Sequence, residues 1–416
     1  MNLDEIDIIT NEHYGRHGYP HEAWALLRRE APLYWYDRPE AKPPFWAVTK
    51  HADIVTISRN PRLFLNAPRL AVFPAIPEPP PDERPARHLL NMDPPDHGRF
   101  RKLASARFTP RAVQSLRTAV EKIADDLLDA LAGDGSSREC DFVEAVAARL
   151  PLEVLAELLG APREDWGLLF QWTNETIGSA DPEYQQGATA QETAERSRNA
   201  LFAYFVDLAG KRRARPTDDI TSLLANARLD GQPVPPFELL SYYYLLVVAG
   251  NETTRNATSG GLLALIENPG ELAKLKRDPS LIDSAVEEIL RWTTPVIQFT
   301  RTATADTEVH GRKIKAGQSL CLFYPSANRD EDVFERSSEF VIDRQPNPHL
   351  AFGIGEHFCL GANLARLELR VIFAKLAERL EEIELAGPIA RLNSSFVGGI
   401  KRVPIRCRVR PGGACA

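Results

Sequence analysis

The chain has 416 residues, 44% of them hydrophobic, with 57 acidic against 50 basic side chains and a formal net charge of −7. That length and apolar content suffice for one large core or two fused lobes. The negative balance argues against nucleic acid and anionic membranes as partners.

The opening residues 1–7 are acidic and carry neither the basic stretch nor the apolar core of a secretion signal. No run of about 18 apolar residues follows to suggest a membrane anchor, so a cytoplasmic protein is expected. A short helix is predicted over 21–29. Strands are predicted at 33–36 and 45–48, where Trp, Tyr, Phe and Val cluster. Residues 61–95 are loaded with proline, including Pro77, Pro79, Pro80 and Pro81, which forbids a long helix or a central strand. Leu70, Val72, Phe73 and Ile76 make this stretch read as an ordered loop facing apolar material. Apolar spacings of three and four predict helices over 112–131, 143–159, 163–177 and 193–212. After a turn at 231–236, a long apolar helix is predicted over 239–266. Glu288 and Arg291 then share one helical face, and a strand-like run leads to Arg301. A helix is predicted over 362–380. Short alternating runs beyond 385, such as 403–406, read as small antiparallel strands. The expected fold is mostly α with minor β: a single domain over 1–416, β-rich over about 1–60, with a helical core over about 95–380.

The stretch from Phe352 to Gly361, FGIGEHFCLG, puts one cysteine on a glycine-hinged loop just before a helix. A free thiol titrates near about 8.5, and the N–H groups of a helix N-terminus lower that value. Gly353, Gly355 and Gly361 let backbone N–H groups approach the sulfur, and Phe352 offers an apolar wall. Such surroundings suit a soft anionic ligand to heme iron. Two other readings stand beside it. One is a buried structural cysteine. The other is a zinc site from His349, His357 and Cys359, although structural zinc wants four ligands in paired short spacings. A dinucleotide loop is excluded, because Gly353-Ile354-Gly355 follows no βαβ unit and lacks a third glycine. Cys140, Cys321, Cys407 and Cys415 are scattered and lack C-x-x-C spacing, which fits reduced thiols.

Within the long helix lies Ala249-Gly250-Asn251-Glu252-Thr253-Thr254, a weak helical segment by propensity. Threonine hydroxyls compete for backbone carbonyls and bend helices. Gly250 leaves room for a small ligand, and Glu252 and Thr253 set an acid beside an alcohol. The apolar runs on either side argue for burial, where idle polar groups are costly.

Taken in this order, the motifs resemble the cytochrome P450 superfamily over essentially the whole chain. One departure is Ile354, where many members carry Phe; changed packing beside the porphyrin and unchanged ligation are expected. The resemblance implies heme b (iron protoporphyrin IX), with Cys359 as its iron ligand and Phe352, Gly353, Gly361 and Ala249 around it. It implies His97, Arg101, Arg301 and His357 as partners of the heme carboxylates. It gives Gly250, Glu252 and Thr253 the handling of oxygen and protons. It makes Glu288, Arg291 and Arg344 a structural ion-pair set. The pocket would be lined by Phe73, Ile76, Leu246, Val296, Ile297, Phe396 and Val397.

The activity so implied is a monooxygenase hydroxylating a terpenoid, steroid or branched lipid. Only 57 residues follow Cys359, so electrons are expected from a separate ferredoxin and its NAD(P)H-dependent reductase, docking near Arg99, Arg101, Lys102 and Arg107 on a monomer. Alternatives are a macrolide or aromatic tailoring hydroxylase, a peroxygenase and a heme-based sensor. The Glu252–Thr253 pair disfavours the peroxygenase, and the lack of a spare output segment disfavours the sensor.

Overall fold

In the computed structural model, which describes residues 2–73 and 86–412, the aromatic runs read as strands pair with each other. Leu33–Tyr36 lies antiparallel to Phe45–Val48, with Trp35 opposite Trp46. Ser319–Phe323 joins Phe45–Val48 in parallel, and Gln298–Ala303 and Phe64–Leu65 complete a five-stranded sheet among the described residues. Side chains alternate across this sheet, as the strand repeat requires. Cys321 and Phe323 enter a cluster with Trp24, Tyr36 and Phe45. Leu320 and Leu322 enter another with Ile54, Ile57 and Leu350.

The stretch expected as a helical core over 95–380 is interrupted by strands, four of them in succession at Gln298–Ala303, Thr307–Val309, Arg312–Ile314 and Ser319–Phe323. The β-branched and aromatic residues Phe299, Thr300 and Thr302 favour extended backbone there, and the register with Ser319–Phe323 satisfies their ladder.

The central helix, Pro236–Glu267, has 32 residues and so spans about 48 Å. Pro236 stands at its first turn, where a missing N–H costs nothing, and Pro269 follows its end. It is buried over most of its length because Arg149–Leu159, Trp166–Ile177, Ala190–Ala214 and Ile282–Thr293 pack around it. Gly261 allows the closest approach. A Cβ there would lie 2.6 Å from the Phe373 ring and 2.7 Å from Ile289. The helix carrying Phe373, Ala362–Arg379, is thereby drawn against the central helix.

Two predicted helices are split. The 143–159 stretch opens with a π-turn, Val143–Ala147, before the α-helix Arg149–Leu159. Pro151 explains the restart, since it can neither donate to residue 147 nor tolerate that carbonyl beneath its ring. The 112–131 stretch becomes Pro110–Gln114 and Arg117–Ala132. At the junction Ser115 Oγ donates to the Ala112 carbonyl at 2.6 Å. In the tail, Leu380–Leu385, Pro404–Val409 and Arg138–Asp141 form one small sheet, and Ala390–Arg391 pairs with Ile400–Arg402. Among the described residues, no helix is long and apolar enough to cross a membrane.

Candidate active site

Gly353 and Gly355 have φ of +67° and +79°, the region that side chains avoid. A Cβ on Gly355 would also lie 2.5 Å from the Ser58 carbonyl oxygen. The turn so made brings Cys359 N–H to the Phe352 carbonyl at 2.9 Å and leaves the helix Ala362–Arg379 starting just beyond the sulfur. Burial pushes the Cys359 thiol up, while the Gly361 N–H, the Arg101 and Arg366 guanidiniums and the Ala362 N–H draw it down. The residue counts as exposed although protein encloses it deeply. Both descriptions hold, because its accessible surface is the wall of an internal cavity.

Two acids tie this loop down. Glu288 is fully buried and accepts from Arg291 Nε and Nη2 at 2.7 Å each, Arg344 Nε at 3.0 Å, Val341 N–H at 2.8 Å and Asn347 Nδ2 at 3.1 Å. Arg291 also donates to the carbonyls of Asn328, Ser337 and Glu339, and Arg344 to those of Glu335, Arg336 and Glu339. The three residues singled out in the sequence therefore meet and gather the segment that leads to Cys359. Glu287 accepts from Arg366 Nε and Nη2 at 2.7 Å each and meets His349 Nε2 at 3.0 Å. Burial raises its pKa, but the bonds from Arg366 and His349 outweigh that and hold it at about 2. Arg366 also lies 4.5 Å from the Phe352 ring centroid. With His349 engaged by Glu287, the zinc trio is not assembled, and the described residues hold no metal-binding cluster of three or more His, Cys, Asp or Glu.

The cavity in front of Cys359 has a basic edge. His97, Arg101, Arg301 and His357 all line it. The His97 and His357 rings lie 4.1 Å apart. His97 Nδ1 faces Glu356 at 3.2 Å, but the Nε2 atoms of both imidazoles are buried without a partner among the described residues. Burial, then the charges of His97, Arg301 and Arg101, push His357 down to about 2. Buried polar atoms left without partners are costly. A group bearing carboxylates would satisfy them. Heme supplies two carboxylates for this edge and an iron for the sulfur, so the donor set fits it.

The opposite wall is the central helix. Leu246, Ala249, Gly250, Glu252 and Thr253 line the cavity. Thr253 Oγ1 donates to the Ala249 carbonyl at 3.0 Å, the back-bond expected from sequence. Gly250 lines the cavity with its bare backbone, and a Cβ there would meet Leu155 at 3.2 Å, so the missing side chain also serves helix packing at the cavity's edge. Val296, Phe396 and Val397 complete the apolar lining. Ile297 does not belong to it. Neighbouring residues of an extended run point to opposite faces, and Ile297 is buried with Trp24 and Phe323. Phe73 also stays outside the lining and stacks edge-on against Phe396 at 5.4 Å. Ile76 lies outside the described residues.

Sequence reasoning missed two features. Glu368, on Ala362–Arg379, lines the cavity, and burial pushes its pKa to about 8. Its signal was one acid among Leu364, Leu367 and Val371 on an inward face. The other is a polar network around Glu252, formed with Arg255, Asn256 and Asn174. A second groove, of about 620 Å³, lies between Pro269–Arg277 and the 336–343 segment. It is lined chiefly by charged and polar residues, with no Cys or His, so the chemistry belongs to the inner cavity.

Comparison with known proteins agrees with this geometry. The family model described as Cytochrome P450 matches residues 188–382. The steroid C26-monooxygenase of Mycolicibacterium smegmatis is 40% identical, over 92% of this chain and 89% of its own length. Cytochrome P450-terp of a Pseudomonas species is 39% identical, over 93% of each chain. The solved Mycobacterium marinum cytochrome P450 CYP268A2, in complex with pseudoionone, is 37% identical with a TM-score of 0.90, covering 97% of this chain and 99% of that one. With Cys359 facing a basic-edged cavity and relatives of this similarity over nearly the whole length, the chain belongs to the cytochrome P450 family and is a heme-iron monooxygenase.

Proposed function

We propose that the chain hydroxylates a hydrophobic small molecule of terpenoid, steroid or branched-lipid class at a C–H bond, using heme b held through Cys359. The observation that carries this reading is a single cavity joining Cys359 to an apolar lining in which Glu252 and Glu368 are the only acids among the described residues. The steroid monooxygenase and the neighbour solved with pseudoionone lend it support. Heme iron bound there supplies the activation of O2 by which one oxygen atom enters the substrate and the other leaves as water, at the expense of two electrons and two protons.

The chain's own groups do the rest. Cys359 ligates the iron as thiolate, favoured by the Gly361 and Ala362 N–H groups. His97, Arg101, Arg301 and His357 hold the heme carboxylates, while Phe352, Gly353 and Ala249 flank the ring. Thr253 offers a proton at Oγ1 and Glu252 replenishes it. Leu246, Val296, Phe396 and Val397 orient the substrate and exclude water, with Phe73 buttressing Phe396. Electrons come from a ferredoxin and its NAD(P)H-dependent reductase to a monomer in the cytoplasm. A panel of steroids, terpenoids and branched fatty acids, screened by the spin-state change of the holoenzyme and then for product, tests the reading. One apolar class shifts the spectrum and is hydroxylated; a response confined to polar compounds overturns it.

A further inference from the structure

Away from the cavity, four arginines gather around the Glu288 node: Arg28, Arg291, Arg329 and Arg344. Two carboxylates serve them. Glu288 holds Arg291 and Arg344. Glu331 holds Arg28, accepting from its Nε at 3.0 Å and its Nη2 at 2.6 Å. Arg329 has no ion pair and no side-chain hydrogen bond among the described residues, and its Nε is buried without a partner. Its guanidinium carbon lies 3.8 Å from the Trp292 ring centroid, a contact that attracts a cation without neutralising it. Burial, then the charges of Arg291 and Arg28, push the Arg329 pKa from 12.5 down to about 9.

The surroundings of Arg329 are short of acceptors as well. His21 Nδ1 and Trp24 Nε1 are buried without partners, and their rings lie 5.6 Å apart. Burial, then the charges of Arg329, Arg28 and Arg291, push His21 well below its ordinary value. The neutral imidazole adds no charge and can still donate a hydrogen bond from Nδ1 in one of its tautomers. Water would satisfy such donors but would leave the charge standing. Four guanidiniums against two carboxylates leave two positive charges over, in a region largely withdrawn from solvent. A buried charge without a counter-charge is costly. A small anion answers both needs, and Arg329, only half-buried as a whole, can be reached from outside.

We propose that Arg329, stacked on Trp292 and close to His21, binds a small monovalent anion such as chloride. The site stands behind a corner of the substrate cavity. Tyr19, whose ring lies 5.7 Å from that of His21, donates its hydroxyl to the Thr294 carbonyl at 2.9 Å. Thr294 turns with φ of +36° and leads through Pro295 to Val296 in the cavity wall. The bound anion ties the start of the helix His21–Glu30 to this corner.

The test uses the holoenzyme, with bromide as the crystallographic probe and chloride in solution. Crystals soaked in bromide show an anomalous peak within hydrogen-bond reach of the Arg329 guanidinium. In solution, replacing gluconate by chloride at constant ionic strength raises the melting temperature of the native protein by about 2 °C or more, because a ligand of the folded state stabilises it. Arg329→Gln loses this response. In gluconate it is at least as stable as the native protein, since the unanswered charge is gone. Heme content and the carbon monoxide spectrum report correct folding of the variant. No bromide at Arg329, or an equal chloride response in both proteins, overturns the proposal. Bromide in the crystal without a chloride response in solution marks an adventitious ion only and overturns it too. Should the variant fail to fold, the bromide position and a saturable chloride response of the native protein decide the matter, and the lack of either refutes the site.

Discussion

Replacing Glu288 by alanine removes the acceptor of five hydrogen bonds at once. Summing them at about 1.5–3 kcal/mol for each bond to a charged group overstates the loss, because folding exchanges such bonds for bonds to water. The better guide is the charge left behind. Arg291 and Arg344 remain inside with no other carboxylate in contact among the described ion pairs, and stranding one partner of a buried pair costs about 3–5 kcal/mol. With two arginines stranded, the upper end applies, a third or more of the roughly 5–15 kcal/mol that stabilises an ordinary domain. Urea unfolding followed by circular dichroism measures it, with heme retention as a second reading, since the same node gathers the segment leading to Cys359. Glu288→Gln keeps the volume but loses the charge, so it is nearly as damaging. A loss under about 1 kcal/mol in both variants would show that the node carries little of the loop's stability.

Thr253→Ala should lower product formed per NAD(P)H consumed and raise peroxide; an unaltered ratio would contradict the role given to its hydroxyl. Arg301→Ala should weaken heme retention by roughly 10- to 100-fold, the worth of one charge-assisted bond, and full heme occupancy after gel filtration would count against the carboxylate-binding edge. Glu368 titrates near about 8 in the fold against an ordinary 4.5. Between those values the folded chain binds a proton that the unfolded chain has lost, so stability falls as pH rises through the window. Glu368→Gln should flatten that slope and stabilise the protein at pH 8 by a few kcal/mol on the order of its shift; identical slopes from pH 5 to 8 would refute it.

What was legible in sequence was local. The glycines around Cys359 announce left-handed backbone, and Gly353 and Gly355 adopt it. The strands at 33–36 and 45–48 stand where aromatic residues crowd a short run. Glu288 and Arg291 share a face because helical spacing dictates it, and Arg344 joins them. What stayed hidden depends on partners distant in the chain. Whether Val296 or Ile297 faces the cavity is settled by which side of the sheet each enters, not by its own chemistry. Arg255 meets Asn174 and Tyr184 only once Trp166–Ile177 crosses the central helix. Glu368 is unusual solely because of what surrounds it. Pro151 was visible, but the π-turn it forces upstream was not read from it.

The account stands on the thiolate of Cys359 bonding to heme iron. Reducing the holoenzyme and adding carbon monoxide tests that bond directly. The predicted result is a strongly red-shifted Soret band, lost or moved to the ordinary histidine-type position in Cys359→His. A native protein that lacks the red-shifted band while retaining its heme would contradict the account at its root.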